Sequence, residues 1–146
     1  MKRGIILFLS FCLCGCAKPD HWSVKHIETT SRLCYHSEDK VGGINLEMLK
    51  TNERLTTYLQ IPSGILDVEK AKIIVDDKEH VFAVERHRGG QRFNVPDKMQ
   101  ELMIGLLNDG KSFIVKIAGY KEKIEPGNFK KKFESGSYSI PFHLPF

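Results

Sequence analysis

The first sixteen residues of the chain carry a positive start, a short apolar run and an end rich in small residues. Lys2 and Arg3 precede the apolar run, which covers the nine residues from 5 to 13 (IILFLSFCL). A membrane-spanning helix needs roughly 20 apolar residues, so this run is too short for a permanent span. The pattern is typical of an export signal that is removed from the mature protein. We therefore expect residues 1–15 to be a signal peptide that takes no part in the fold.

The end of this segment, Leu13-Cys14-Gly15-Cys16, resembles the lipobox of bacterial lipoproteins. In that family the thiol of the last cysteine takes a diacylglyceryl group, and the chain is cut just before it. The resemblance implies a lipid anchor on Cys16 with two or three acyl chains, which is enough for stable attachment to a membrane. Cys14 departs slightly from the family, where alanine or serine is commoner. An ordinary secretory signal that contains cysteines is the alternative.

The residues after the predicted anchor bear on location. Ala17 and Lys18 follow Cys16, with no aspartate directly after the cysteine. By analogy with the lipoprotein family, this implies transfer to the outer membrane, on its periplasmic or surface face, if the cell is Gram-negative. Residues 16–21 would form the lipidated cysteine and a short tether, and residues 22–146 a single globular domain.

Removal of the signal changes what the cysteines and the charge imply. Cys12 and Cys14 leave with the signal and Cys16 carries lipid, so Cys34 is the one remaining thiol. An internal disulfide is therefore excluded, and the hydrophobic core must stabilise the domain. The two basic residues of the signal also leave, which reduces the basic count from 22 to 20 against 18 acids and the net charge from +4 to +2. We expect no nucleic-acid partner.

A helix is predicted from residue 97 to about residue 108. Asp97 follows Pro96 and suits the N-cap, with Gln100 three residues on, as in a capping box. Gly110 suits the left-handed position that ends a helix. One apolar stripe has the spacing of a helix face and consists of Met99, Leu102, Met103, Leu106 and Leu107.

Short segments with strand patterns fill most of the remaining chain. Alternation of apolar and polar residues, or a run of β-branched residues between turn signals, predicts strands at 31–36, 44–49, 54–61, 71–75, 80–85, 91–95 and 112–120. A second short helix is predicted at 128–134. Many strands with one well-formed helix imply an α+β domain, a small antiparallel β-sandwich.

The order of motifs along the mature chain gives a second resemblance. It is similar to the β-sandwich of invasion-associated locus B proteins and of accessory proteins of type VI secretion. The features that carry it are Trp22-Ser-Val, Thr30-Ser31, Cys34, the alternating strand 54–61, Ile74-Val-Asp-Asp77, the capped helix ending in Asp-Gly-Lys, the strand FIVKI and Phe129. The lack of a second domain cysteine departs from the cysteine-bearing members. The resemblance implies an exported binding or surface protein without assigned catalytic residues.

One group of residues could serve nucleophilic catalysis. Cys34, His36 and Asp39 supply a thiol, an imidazole and a carboxylate close together, and a cysteine nucleophile needs a base and a lowered pKa. No glycine-rich turn or oxyanion donor is recognisable nearby, and a small buried cysteine beside an exposed histidine is the alternative.

The six histidines show no metal-ligand spacing. We expect no catalytic residue, no metal and no cofactor.

A basic hairpin tip is the candidate contact for an anion or a partner. Arg86, Arg88 and Arg92 surround Gly89-Gly90, which suits a tight hairpin turn. Arginine forks match carboxylate and phosphate geometry. The anion would be a lipid headgroup, a lipopolysaccharide phosphate or an acidic envelope protein. A solvated turn is the alternative.

The C-terminal part of the chain carries two further patterns. Lys130-Lys131-Lys132 lies between Phe129 and Phe133, which predicts the solvated side of a packed helix. The apolar tail 137–146 alternates apolar residues with polar residues and prolines, and prolines are excluded from central strands. The tail either straps across the domain or docks on a partner.

Together these patterns predict a lipid-anchored envelope protein with a non-catalytic binding or structural role, one form of which is a place in a surface or secretion assembly. The membrane, through the lipid anchor, and an envelope protein or anionic lipid are the expected partners. The alternative is an inhibitor or exclusion factor that acts on an envelope enzyme or an invading element. An enzyme that uses Cys34 is the third hypothesis.

Overall fold

The computed structural model describes residues 20–39, 41–61, 69–87 and 91–135. The predicted signal peptide, Cys16, Arg88 and the predicted tail 137–146 lie outside the described residues.

The described residues form two antiparallel sheets and two helices. The six-stranded sheet has the order β1-β2-β3-β4-β8-β7, and the four-stranded sheet has the order β10-β9-β5-β6. The elements in chain order are β1 (Trp22–Ile27), β2 (Thr30–Tyr35), β3 (Asn45–Lys50), β4 (Leu55–Gln60), β5 (Lys70–Val75), β6 (Lys78–Ala83), β7 (Glu85–Arg86), β8 (Arg92–Asn94), α1 (Asp97–Asn108), β9 (Phe113–Ile117), β10 (Tyr120–Ile124) and α2 (Phe129–Ser135). The predicted α+β class and the small antiparallel β-sandwich are confirmed.

Tight turns determine most of the local pairing. Asp76 and Asp77 join β5 to β6 with φ values of 50° and 60°, the left-handed pair that two-residue hairpins of type I′ require. Ala118 and Gly119 join β9 to β10 in the same way, with φ values of 52° and 81°. The expected single strand at 112–120 was therefore wrong, because a turn divides it. Alternation alone does not mark this turn, since apolar residues flank it on both sides.

The core lies between the two sheets and includes residues from both helices. Successive strand residues point to opposite faces, and the inward set is apolar in both sheets. One continuous cluster contains among others Leu33, Leu46, Met48, Leu59, Phe93, Ala71, Ile73, Val115, Ile117, Met99, Met103, Leu107 and Phe129. Burial of this many large side chains supplies the main stabilisation, at roughly 1.5–3 kcal/mol each.

Trp22 begins β1, a strand that the sequence patterns did not predict. Its ring is 2% exposed and packs edge-on against Tyr35 and Phe129, while its indole nitrogen donates to the Glu125 carbonyl at 2.9 Å. Tyr35 likewise donates its hydroxyl to a carbonyl, that of Lys123, at 3.0 Å. Its burial raises the pKa of Tyr35 to about 12, so the phenol remains a proton donor at neutral pH. Of the residues of β1, only Trp22 and Val24 belong to the core or pack against it, which explains the weak sequence signal.

Helix α1 covers the predicted residues and buries the predicted stripe through Met99, Met103 and Leu107. Its start differs from the expected capping box. Pro96 is the N-cap and makes no side-chain cap hydrogen bond, and the Gln100 side chain instead accepts from the Thr57 hydroxyl at 2.7 Å. Thr57 is fully buried, and a buried hydroxyl without a partner costs stability. The Gln100 side chain is therefore hydrogen-bonded to a strand of the sheet and does not cap the helix.

The end of α1 follows the sequence prediction. Gly110 has a φ of 72°, and its N–H donates to the Leu107 carbonyl at 3.1 Å. The N–H of Lys111 donates to the Leu106 carbonyl at 2.9 Å. These two bonds form a Schellman motif, which requires a left-handed residue at this position.

Helix α2 confirms the second predicted helix and packs through Phe129, whose ring stacks on Phe133 at 5.2 Å. Lys130 and Lys131 are exposed, as predicted. Lys132 is not on a solvated side, because its ammonium group donates to the Asp20 carboxylate and to the Trp22 carbonyl. Asp20, which lies within the predicted tether, therefore makes contact with the folded domain.

Candidate functional site

The outer face of the six-stranded sheet carries Cys34 and Arg92, two of the polar residues that the sequence singles out. Ser23, Cys34, Glu47 and Tyr58 stand directly opposite one another on β1, β2, β3 and β4. Opposite residues on neighbouring antiparallel strands share a face. These four side chains therefore form one row across the sheet, on the side away from the core.

Glu47 is the centre of this face. It is only 8% exposed, and an ionised carboxylate at such a position needs compensation by opposite charge. Arg92 supplies it, with Nη2 donating to Oε2 at 3.3 Å and Nη1 lying 3.3 Å from Oε1. The Arg32 Nε lies 4.0 Å from Oε1 on the other side. The site is therefore a carboxylate between two guanidinium groups.

The predicted arginine group is only partly described and does not converge on one point. Arg92 lies over the Tyr58 ring, 5.8 Å from its centre, and faces outward with Glu47. Arg86 stands opposite the buried Phe93, the residue next to Arg92, so the two arginines start from opposite faces of the hairpin. Arg88 lies outside the described residues. The role of these three arginines in anion contact stays a prediction.

Cys34 is a half-buried free thiol on this face. Burial raises its pKa above the ordinary value of 9.0, and the Glu47 carboxylate raises it further against the opposing charges of Arg32, Lys25 and Arg92. A thiol with a raised pKa is protonated at neutral pH and is a poor nucleophile. It lines a small pocket of about 260 Å³ together with Arg32, Glu47 and Gln60.

His36 and Asp39 have partners other than the thiol. The His36 Nε2 lies 3.1 Å from the Ser23 hydroxyl. The Asp39 carboxylate accepts from the N–H groups of Val41 and Gly42, both at 3.0 Å, and these bonds lower its pKa. Asp39 therefore closes a turn. Nothing in these contacts activates Cys34 as a catalytic cysteine would require.

A second charged surface lies on the outer face of the four-stranded sheet. We call it the lysine face, and it consists of Lys70, Lys72, Lys116, Lys121 and Lys123. The sequence signal is the spacing of two residues within Lys70-x-Lys72 and Lys121-x-Lys123. Neither pair indicates that three strands bring the lysines together, because strand pairing is not visible in either segment alone.

Within residues 20–39, 41–61, 69–87 and 91–135, no group of three or more histidine, cysteine, aspartate or glutamate side chains could bind a metal ion. Among the same residues, no helix has both the length and the apolar character needed to cross a membrane.

Comparison with models of known families, with curated proteins and with solved structures finds no match to this chain. The fold and its charged faces therefore define the class, an antiparallel β-sandwich with two short helices. The resemblance to invasion-associated locus B proteins and type VI secretion accessory proteins stays a prediction.

Proposed function

We propose that the chain is a lipid-anchored protein of the bacterial envelope with a non-catalytic binding role. The observation that carries this proposal is the lipobox-like Leu13-Cys14-Gly15-Cys16, which ends four residues before Asp20.

The contacts of Asp20 support a short link between the anchor and the domain. Its carboxylate accepts from Lys132 and from the Asn128 amide at 3.1 Å, and from the Trp22 N–H at 3.1 Å. Burial alone would raise the pKa of Asp20, but these bonds together lower it below 3.8. Four residues of extended chain reach at most about 14 Å. The domain would therefore lie directly at the bilayer surface.

The surroundings of Cys34 support a non-catalytic role. The raised pKa of this thiol, the engagement of His36 by Ser23 and the use of Asp39 in a turn leave no activated nucleophile in the group that the sequence offers. The two arginines that face Glu47 are neutralised by it in part. We infer that the charges of Glu47, Arg32 and Arg92 stabilise the fold and do not take part in a reaction.

Processing of Cys16 variants tests the anchor. The full chain should be recovered in the membrane fraction as a form that lacks residues 1–15, and intact mass should show added acyl chains. Cys16→Ala should accumulate as the uncleaved precursor without lipid. Cys34→Ser is the matched control and should be processed like the natural chain. Cleavage of Cys16→Ala at the normal position, or a mature protein without acyl mass, would contradict the proposal.

Crosslinking of the lipidated protein in its own envelope, followed by purification, tests the binding role. We expect a defined envelope partner or anionic lipid to be captured, and capture should not depend on Cys34. Loss of a measurable hydrolase activity in Cys34→Ser, with the fold retained, would instead establish an enzyme and overturn the non-catalytic role.

A further inference from the structure

The lysine face brings like charges into direct register. Lys72 on β5 is the cross-strand partner of Lys116 on β9, which is in turn the partner of Lys121 on β10. Opposite residues in such pairs have Cβ atoms about 4.5–5.5 Å apart. Three ammonium groups therefore extend from one row, with Lys70 and Lys123 displaced by two residues on the same face.

The positive charge of this face is only partly compensated by the described residues. The Glu79 carboxylate lies 3.5 Å from the Lys72 ammonium group, and the Glu125 carboxylate, just after β10, lies 3.3 Å from that of Lys123. Five lysines and these two glutamates give the face a formal charge of +3, whereas the whole chain after residue 15 carries +2. The remainder of the molecule is thus slightly acidic. Like charges directly opposite are destabilising in a sheet, so the arrangement works against folding.

Apolar side chains accompany the lysines on the same face. Ile74 and Ile114 are cross-strand partners and are half-buried, and Val81 is 51% exposed. A groove of about 410 Å³ opens beside the row, lined among others by Lys72, Lys116 and Lys121. The face therefore combines lysine cations, partly exposed apolar side chains and a recess.

We propose that the lysine face lies against the anionic headgroups of the bilayer that carries the lipid anchor. Lysine is a compact charge on a flexible stem and suits a surface of many phosphates, whereas arginine suits a fixed bidentate partner. An open sheet face matches an extended charged plane, and complementary charge provides the attraction. The orientation rests on the proposed anchor at Cys16, but the recognition chemistry does not.

The start of the domain is compatible with this orientation. Strand β10 ends at Ile124, and the next residue, Glu125, accepts the indole N–H of Trp22. Lys121 lies four residues before Glu125, or about 14 Å along a strand. The tether from Cys16 to Asp20 spans a similar distance of about 14 Å at most. The length of the tether is therefore compatible with the acyl chains and the lysine face lying at one membrane surface.

Vesicle binding of the chain from residue 16 onward, with Cys16→Ser to prevent acylation, tests the proposal. The probes are vesicles with about one third phosphatidylglycerol in phosphatidylethanolamine, and neutral phosphatidylcholine vesicles. Each surface lysine contributes roughly a fivefold factor to binding an anionic membrane. The triple variant Lys72→Gln, Lys116→Gln, Lys121→Gln should therefore lose affinity on the order of 100-fold.

Two matched variants control for net charge and for folding. The exposed Lys25, Lys98 and Lys130, all changed to Gln, remove the same charge elsewhere and should change affinity only a few-fold. Conversion of Lys72, Lys116 and Lys121 to Arg keeps the charge and should retain binding. The single variant Lys121→Gln, on an exposed edge-strand position, should lose about fivefold and guards against misfolding of the triple variant.

Equal losses in the two Gln triple variants, or no preference of the natural sequence for anionic vesicles, would overturn the proposal. Capture of an acidic protein through the same lysines, with no vesicle binding, would overturn it in favour of a protein partner. The chain in this assay carries no lipid, so its outcome is independent of acylation. Failure of the anchor appears only in the processing of Cys16.

Discussion

The outer faces of the two sheets differ in the arrangement of their charged side chains. On the six-stranded sheet, Glu47 is buried between Arg92 and Arg32, and its two oxygens are both within 4.0 Å of a guanidinium nitrogen. On the four-stranded sheet, Lys72, Lys116 and Lys121 follow one another across three strands, with one acid nearby. Attraction between opposite charges stabilises the first arrangement, and repulsion between like charges destabilises the second.

This difference separates charges that serve the fold from charges that are free for a partner. A buried carboxylate cannot give up its cations without a large penalty, so the Glu47 group is unsuited to release an arginine to an external anion. The lysine face makes no comparable demand on the fold. Apart from the pairs Lys72–Glu79 and Lys123–Glu125, its charges are available to an external anion, and binding one would relieve the repulsion among them.

Removal of the central carboxylate should have the largest effect on stability. Glu47→Ala leaves Arg92 and Arg32 facing each other without compensation, and we expect the free energy of unfolding to fall by about 1–3 kcal/mol. The full penalty of a buried pair does not apply, since the Arg92 side chain is 39% exposed. Denaturant unfolding measures the loss. Glu53→Ala, in an exposed turn, should change stability little, and equal losses would contradict the assignment.

Asp20 is a second carboxylate, after Glu47, whose charge is balanced by neighbouring groups. Asp20→Ala removes the acceptor for Lys132, Asn128 and the Trp22 N–H, and should cost about 1 kcal/mol at pH 7. The pKa of Asp20 is lower in the folded state than its ordinary 3.8. Its contribution is therefore complete above pH 3.8 and is lost as the pH falls through the lowered pKa.

Urea unfolding of the natural chain and of Asp20→Ala at a series of pH values tests this sign. The two curves should differ at neutral pH and converge in acid. Asp20→Asn keeps an acceptor oxygen without the charge, and its stability should fall less steeply with acid than that of the natural chain. A difference that grows as the pH falls would contradict the lowered pKa.

The lysine row should respond in the opposite direction. Lys116→Thr removes the charge that faces both Lys72 and Lys121, and we expect the free energy of unfolding to rise by about 0.2–1 kcal/mol. The control is Lys123→Thr, which stands opposite Ile114 and pairs with Glu125 at 3.3 Å. Lys123→Thr introduces a threonine with the same preference for a strand but does not relieve the repulsion between neighbouring lysines. The gain should shrink at high salt, and an equal gain in both variants would remove the repulsion argument.

The smallest effect is expected at Cys34. Iodoacetamide alkylation of the Cys16→Ser chain, followed against pH, should give a pKa for the Cys34 thiol above 9.0, since burial and the Glu47 carboxylate both raise it. Glu47→Gln should shift the alkylation curve to lower pH. A pKa below 9.0 in the natural sequence would restore the hypothesis of a reactive cysteine.

The sequence patterns predict the elements that carry a local signal. The stripe of α1, the Gly110 end and the alternation in β4 depend on residues close in the chain, and the structure confirms all three. The apparent capping box at Asp97 was wrong, because a tertiary bond from Thr57 takes Gln100. A local motif does not indicate that a residue distant in sequence forms a hydrogen bond with the same side chain.

The two charged faces depend on strand register, which no single segment contains. Glu47 and Arg92 are distant in sequence and meet through β3, β4 and β8. The lysine row needs the pairing of β5 with β9 across the intervening β6, β7, β8 and α1. A cluster of arginines in one hairpin is visible in the sequence, whereas lysines gathered from three strands are not.

Relaxation by spin-labelled headgroups in anionic bicelles compares the two faces most directly. In an isotopically labelled chain with Cys16→Ser, we predict strong broadening of the backbone amides of Lys72, Lys116 and Lys121. The amides of Cys34 and Glu47 on the opposite outer face should be little affected. Stronger broadening at Cys34 and Glu47, or equal broadening on the two faces, would contradict the account that only the lysine face is free to meet the membrane.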